Sequence, residues 1–375
     1  MREIESLTAL DELLASAEPL VDVVFQGLDL RGHTAPLRAR QLGRSVVFLG
    51  CRMEQPLERH AIAEGALVFP IIEGLPFHPY RAALYQVEEL YDAFDWHEPE
   101  SYRRCLDARV YEHWRGTGRD APDSILETLA RRLHDHAISD AVEELVVGYQ
   151  VVAIMGGHGL PRGRGEYAAI ARIARRLSAE GFLLASGGGP GAMEATHVGA
   201  WFVDRPEAEM LEAIDLLARA PRYDDRGWLS RAFEVRERWP LAKTTAAAHP
   251  SLGIPTWLYG HEPPNAFATH VAKYFANSVR EEGLLALAKA GVVFAPGSAG
   301  TIQEVFQDAC QNHYESMGGV SPMIFLGVDY WTCDKPVYPL LRQLADGRRY
   351  AAWLSITDHE DEVVTAILAF RDRPR

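Results

Sequence analysis

From residue 148 onward, short apolar runs alternate with longer stretches in which apolar residues recur every three or four positions. "QVVAIMG" (150–156), "FLLAS" (182–186), "GIPTWLY" (253–259), "GVVFAPG" (291–297) and "PMIFLG" (322–327) are apolar runs bounded by turn residues. That is the pattern of strands buried on both faces. Helical spacing fills the intervals at 165–181, 266–289, 299–313 and 337–346, with a last stretch at 359–371. Strands alternating with helices predict a parallel sheet, and right-handed crossovers cover both of its faces. The expected fold is therefore α/β: a doubly wound, mostly parallel Rossmann-like sheet over residues 148–375.

One connection is too long for a simple crossover. Residues 201–250 take about fifty positions where a few suffice, which predicts an insertion. Within it "EAEMLEAIDLLARA" (207–220) has helical spacing, whereas "PRYDDRGWLSRAFEVRERWP" (221–240) reads equally as a lid or a subunit surface. Residues 1–147 are expected to form an N-terminal α+β cap domain. They contain strand-like runs at 45–51 and 65–72, a long helical pattern at 122–148 and an irregular aromatic stretch at 76–99.

Composition narrows the class. Apolar residues make up 47% and charged residues 24%, as in a globular protein. No apolar run approaches the ~20 residues that cross a bilayer, and "MREIESLTALDELLASAEP" lacks a signal-peptide pattern, so a cytoplasmic protein without membrane partners is expected. The formal charge of −14 argues against nucleic acid as a partner, because sequence-independent binding needs a basic surface. Cys51, Cys105, Cys310 and Cys333 form no CxxC, so reduced structural thiols and no metal site are expected.

The candidate chemistry lies in three glycine-rich turns, each following a predicted strand: "MGGHG" (155–159), "SGGGPGAME" (186–194) and "PGSAGT" (296–301). In an open parallel sheet such loops share one edge. Glycine lets the backbone approach an anion, and the N–H groups that open the next helix carry partial positive charge. The expected phosphate and nucleotide contacts are Gly156, Gly157 and His158; Gly187, Gly188, Gly189, Gly191 and Met193; and Gly297, Ser298, Ala299, Gly300 and Thr301. There is no GxxxxGK[ST], which argues against a Walker-type triphosphatase.

"PGSAGTIQE" (296–304) resembles the PGGxGTxxE signature of the LOG family, phosphoribohydrolases that split a nucleoside monophosphate into free base and ribose 5-phosphate. "SGGGPGAMEA" (186–195) is similar to the partner glycine motif in the bacterial nucleotide 5′-monophosphate nucleosidases of that family, and "MGGH" (155–158) and "EPPN" (262–265) fit the same branch. The resemblance covers roughly 148–371. It implies that Gly297 to Thr301 hold the 5′-phosphate and that Arg280, Glu304 and Glu194 are catalytic. No cofactor is implied, and a homodimer or higher homo-oligomer is. Ser298 stands where the signature has its second glycine, which is harmless only if φ is negative there.

The chemistry suits these groups. Breaking an N-glycosidic bond builds positive charge at the anomeric carbon, which a carboxylate stabilises while a general base prepares water. Glu304 is expected near the ribose, Glu194 as the second carboxylate, and Arg280 as an anchor that keeps a glutamate ionised. Structural readings stand beside these: both glutamates favour helix N-termini, Arg280 beside Glu281 and Glu282 suits a solvated face, and His158 suits a turn cap. The aromatics of 76–99 read as cap core before a base-stacking platform, and Tyr80, Arg81 and Tyr85 are the ones to inspect for base contacts. A non-catalytic nucleotide sensor on the same fold is the alternative function. Pyridoxal chemistry needs a placed lysine, and none of Lys243, Lys273, Lys289 or Lys335 lies in a glycine turn.

Overall fold

Four of the five apolar runs after residue 148 form strands where expected in the computed structural model, which describes residues 1–16, 18–122 and 124–373. The chain folds as two units, Met1–Leu84 with Gly116–Ala141, and Tyr85–Arg115 with Val142–Arg375. This division differs from a single cut at 147/148, because residues 85–115 belong with the second unit. The reason is chemical. The buried Lys273 ammonium pairs with buried Asp107, which also accepts the Tyr102 hydroxyl (2.8 Å). An ion pair with no exposure to water is costly to separate, so it fixes 85–115 to its partner strand region.

In the first unit β1 (Arg2–Ile4), β2 (Val23–Gln26), β3 (Val46–Leu49) and β4 (Leu67–Phe69) lie side by side in chain order, all parallel. Helices Leu7–Ala15, Thr34–Arg38 and Gln55–Ala63 occupy the crossovers. Leu10, Leu13, Phe25, Phe48 and Leu57 form the core, with Phe25 and Phe48 stacked at 5.0 Å. Where an α+β cap was expected, this unit is thus itself parallel α/β. Strands β1 and β2 are short, and charged residues flank them, so neither stands out as an apolar run. The long helical pattern at 122–148 forms Ile125–Val146; position 123 lies outside the described residues.

The second unit is built on β5 (Val151–Met155), β6 (Leu183–Ser186), β7 (Ser251–Gly253), β8 (His270–Val271), β9 (Gly291–Phe294), β10 (Met323–Leu326) and β11 (Leu354–Thr357). Their order is β11-β10-β9-β5-β6-β7-β8, parallel throughout. The chain leaves β5 toward β6 on one side and returns at β9 on the other. Right-handed crossovers then place helices Gly165–Ala179 and Ala299–Tyr314 on opposite faces, so the loops after β5 and β9 part between them.

Helix Gly165–Ala179 shows how sequence builds this layer. Tyr167, Ile170, Ala171, Ile173, Ala174 and Leu177 are buried at helical spacing, and each large apolar side chain contributes roughly 1.5–3 kcal/mol. The helix stops at Gly181 (φ 85°), where Phe182 N–H returns to Leu177 O (3.2 Å).

Other elements differ from expectation. The third strand is Ser251–Gly253 rather than 253–259, because Pro255 has no N–H to donate to a ladder. The helix expected at 266–289 forms only over Asn277–Leu287, while His270–Val271 pairs as β8. "AFATHVAKYFA" (266–276) satisfies both periodicities, and sheet pairing decided between them. The short mixed run "LSIT" forms the edge strand β11. The insertion contains helices Glu207–Leu217, Trp228–Arg238 and Lys243–Ala248. Among the described residues no helix is long and apolar enough to cross a membrane.

Candidate functional site

Loops leaving the carboxyl ends of β5, β6, β7 and β9 enclose a cleft of about 290 Å³ at the switch point of the sheet. The glycine turns are tied to one another. Gly157 N–H donates to Pro296 O (3.0 Å) and Ala192 N–H to Gly157 O (3.2 Å). Gly188 O accepts both the backbone N–H and the side-chain amide of Asn265, each at 2.9 Å. Ser186 Oγ accepts Gly188 N–H (3.1 Å) and bonds His197 Nε2 (2.8 Å). Burial lowers the His197 pKa to about 3, so this imidazole is a neutral structural prop.

Of the expected contacts, Gly156, Gly157, His158, Gly187, Gly189, Met193, Ser298, Ala299, Gly300 and Thr301 line the cleft. Gly188, Gly191 and Gly297 do not line it; they shape its walls. Gly191 has φ 67°, and a Cβ there would lie 2.4 Å from Gly157 O. A Cβ on Gly297 would lie 2.1 Å from Thr301 Oγ1, so the threonine can fold back only over glycine. Ser298 has φ −106°, so the position does not require the positive φ that favours glycine. It precedes helix Ala299–Tyr314 without capping it through its side chain. The first helical bond is Ile302 N–H to Ser298 O (3.0 Å), which leaves the N–H groups of Ala299, Gly300 and Thr301 without an intrahelical acceptor. Lining amides of this kind suit an anion.

One helical turn beyond Gly300, Glu304 enters the cleft. Burial pushes its pKa up to about 7; nearby Arg280 opposes the rise and Glu281 adds to it. Arg280 thus favours the ionised form of Glu304, and loss of hydration outweighs it. Arg280 is buried rather than on a solvated face. Its Nε donates to Ile254 O (2.9 Å) and its Nη1 to Asn277 Oδ1 (3.3 Å). Nη1 lies 3.5 Å from Glu281 Oε1, and Nη2 lies 3.9 Å from Glu304 Oε1.

For Glu194 the expected position is corrected. It does not line the cleft. Its carboxylate is fully buried against Arg162, with Nε and Nη2 at 2.7 and 2.5 Å, and it accepts the Tyr167 hydroxyl (2.9 Å). From the first turn of helix Ala192–Trp201 it points at this arginine rather than into the cleft. Tyr80 and Arg81 belong to the first unit, where Tyr80 packs under Gly50 and donates to Pro70 O (2.8 Å); Tyr85, in the second unit, is not among the residues that line the cleft.

Several cleft residues escaped the sequence reading: Pro255, Thr256, Tyr259, Glu262 and Glu281. Glu262 was visible only as the first letter of "EPPN", and Glu281 only as a neighbour of Arg280. His158 is half exposed, 3.7 Å from Glu262 and edge-on to Tyr223 (5.7 Å between centroids). No lysine is among the lining residues. Among the described residues no group of three or more His, Cys, Asp or Glu side chains is placed to hold a metal ion.

The fold and the cleft define a class, a doubly wound α/β unit with glycine turns at its switch point. No protein-family model and no curated protein matches the chain. Among solved structures, the chain is similar to the molybdenum cofactor binding protein from the phototrophic bacterium Rippkaea orientalis, at 14% identity and TM-score 0.38 over 60% of this chain and 98% of that one. It is also similar to the molybdenum cofactor carrier protein from Chlamydomonas reinhardtii, at 12% identity and TM-score 0.38 over 60% and 99%.

Proposed function

We propose that the cleft hydrolyses the N-glycosidic bond of a nucleoside 5′-monophosphate, releasing free base and ribose 5-phosphate. The observation that carries this reading is the position of Glu304. A carboxyl titrating near 7 stands one helical turn beyond three free amides and beside a buried arginine. The amides of Ala299, Gly300 and Thr301 hold the phosphate, and the ribose then extends toward Glu304 and Arg280. As the C1′–N bond breaks, its electron pair leaves with the base and positive charge grows on C1′. Water adds at C1′ and gives a proton to the Glu304 carboxylate, which passes it to the departed base; the net reaction consumes one water. A base with a pKa near the operating pH is well matched to this step.

The test incubates the purified protein with AMP, GMP, CMP and UMP and assays ribose 5-phosphate. Release is expected from at least one, with kcat/KM rising with pH to a plateau above about 7. Glu304→Gln should lower kcat by roughly 10²–10⁴-fold while ribose 5-phosphate still binds. Nucleotide binding without release from any of the four would overturn hydrolysis and leave a nucleotide sensor.

A further inference from the structure

With Glu194 sealed against Arg162, the cleft retains Glu262, Glu281 and Glu304. Glu281 is the most firmly held. Its Oε1 accepts the Asn277 side-chain amide (2.7 Å) and its Oε2 accepts that of Gln303 (2.7 Å). Those donors come from two helices, Asn277–Leu287 and Ala299–Tyr314, so the carboxylate is clamped from both. Glu304 differs: among the described residues its nearest ionic partner is Arg280 Nη2 at 3.9 Å. One guanidinium therefore stands between a fixed acid and a free one.

We propose that Glu281 is the second acid of this cleft, a positioning residue that orients Arg280 and works on the reaction through Glu304. The proposal rests on the phosphoribohydrolase reading. Its physical basis is division of labour between two carboxyls in unlike surroundings. Glu281 has an amide donor on each oxygen, which fixes its position beside Arg280. Its charge, close to Glu304, makes the proton of Glu304 harder to lose and the carboxylate a better base. The other charged or titratable side chains around Glu304 are Arg280 on the facing helix, Glu262, His158 and Tyr259 on the cleft wall, and Asp308 on its own helix. Of these, Arg280 and Glu281 are the charges that move the Glu304 titration.

Glu281→Gln tests it, with Glu281→Asp as the conservative variant and two readouts. The first is the pH profile of kcat/KM on the nucleotide that the wild-type protein hydrolyses. The second is the titration of the Glu304 carboxyl by NMR in protein carrying 13C-glutamate, assigned by its loss in Glu304→Gln. In Glu281→Gln the midpoint is expected to fall by about one pH unit in both readouts, and kcat by roughly 10- to 100-fold, with KM changed less. Glu281→Asp should recover part of both. A Glu304 midpoint unchanged in Glu281→Gln would overturn the proposal, since a merely structural side chain leaves it where it is. If no nucleotide is hydrolysed, the function reading fails by itself, and the NMR comparison still decides the role of Glu281.

Discussion

At Gly187 an added methyl group would sit 2.7 Å from Arg280 Nη2 and 2.7 Å from Met193 Sδ. Contacts that short force the guanidinium out of its place beside Glu304. Gly187→Ala should therefore weaken ribose 5-phosphate binding and activity by at least tenfold, with little loss of stability, because both neighbours are flexible side-chain ends. Calorimetric titration with ribose 5-phosphate and a thermal melt check the two halves. Ser298→Gly is the contrasting control. Serine already sits at negative φ, and glycine and serine serve similarly before a helix, so activity within about threefold of wild type is expected. A large gain would mean that the serine distorts the loop. These residues also show what sequence can reveal at this scale. Glu304 and Arg280 were picked out through the resemblance of "PGSAGTIQE" and the helix before it to the LOG signature. Glu194 also follows a glycine turn, yet it faces Arg162, and nothing around "LPRGRGEY" distinguishes the one buried arginine from its neighbours.

Between elements, Arg162 is the joint that secures the insertion. Its backbone N–H donates to Pro221 O (3.1 Å) and its Nη1 to Trp228 O (2.8 Å), while the guanidinium lies 4.4 Å from the Trp228 ring centroid. The same side chain neutralises Glu194 on helix Ala192–Trp201, so one residue binds the insertion to the glycine turns. Arg162→Met leaves a buried carboxylate unpaired and should cost about 3–5 kcal/mol; Arg162→Met with Glu194→Gln should recover a good part of that. Urea denaturation of the wild-type, single and double variants measures the coupling, and additive losses would refute the joint. The choice for 221–240 between lid and subunit surface was open in sequence, because it turns on a contact rather than a periodicity. Tyr223 against His158 places the start of that stretch at the cleft. The strands β5, β6, β9 and β10 were legible for the opposite reason. A strand buried on both faces must be apolar at every position, and that leaves an unbroken run. Strands β8 and β11 lie at the outer positions of the sheet, need no such run, and were missed.

For the whole molecule, the buried acids set how stability depends on pH. Burial raises Glu304 to about 7 and, one turn along the same helix, Asp308 to about 8, against 4.5 and 3.8 for the free side chains. Among the described residues Asp308 Oδ2 finds no hydrogen-bond partner, and its Oδ1 accepts the Asn312 amide at 3.3 Å. Between the ordinary and raised values the folded chain holds protons that the unfolded chain has lost, so stability falls as pH rises through that interval. His197 acts in the other direction. Its pKa is lowered from 6.5 to about 3, so protonation of the unfolded chain costs stability as pH drops below 6.5. The two trends oppose each other below pH 6.5, and above it His197 no longer contributes. From pH 6.5 to 8 these two acids should together cost on the order of 2 kcal/mol, most of it from Asp308, because one retained proton costs roughly 1.4 kcal/mol for each pH step of one. Asp308→Asn removes the ionisation without much change in shape, so its stability relative to wild type should improve steadily between pH 6.5 and 8.5. Urea denaturation at four pH values across that range gives the slope directly. A difference between Asp308→Asn and wild type that stays constant with pH would mean that Asp308 is already charged in the fold, and that water reaches the helix face it shares with Glu304.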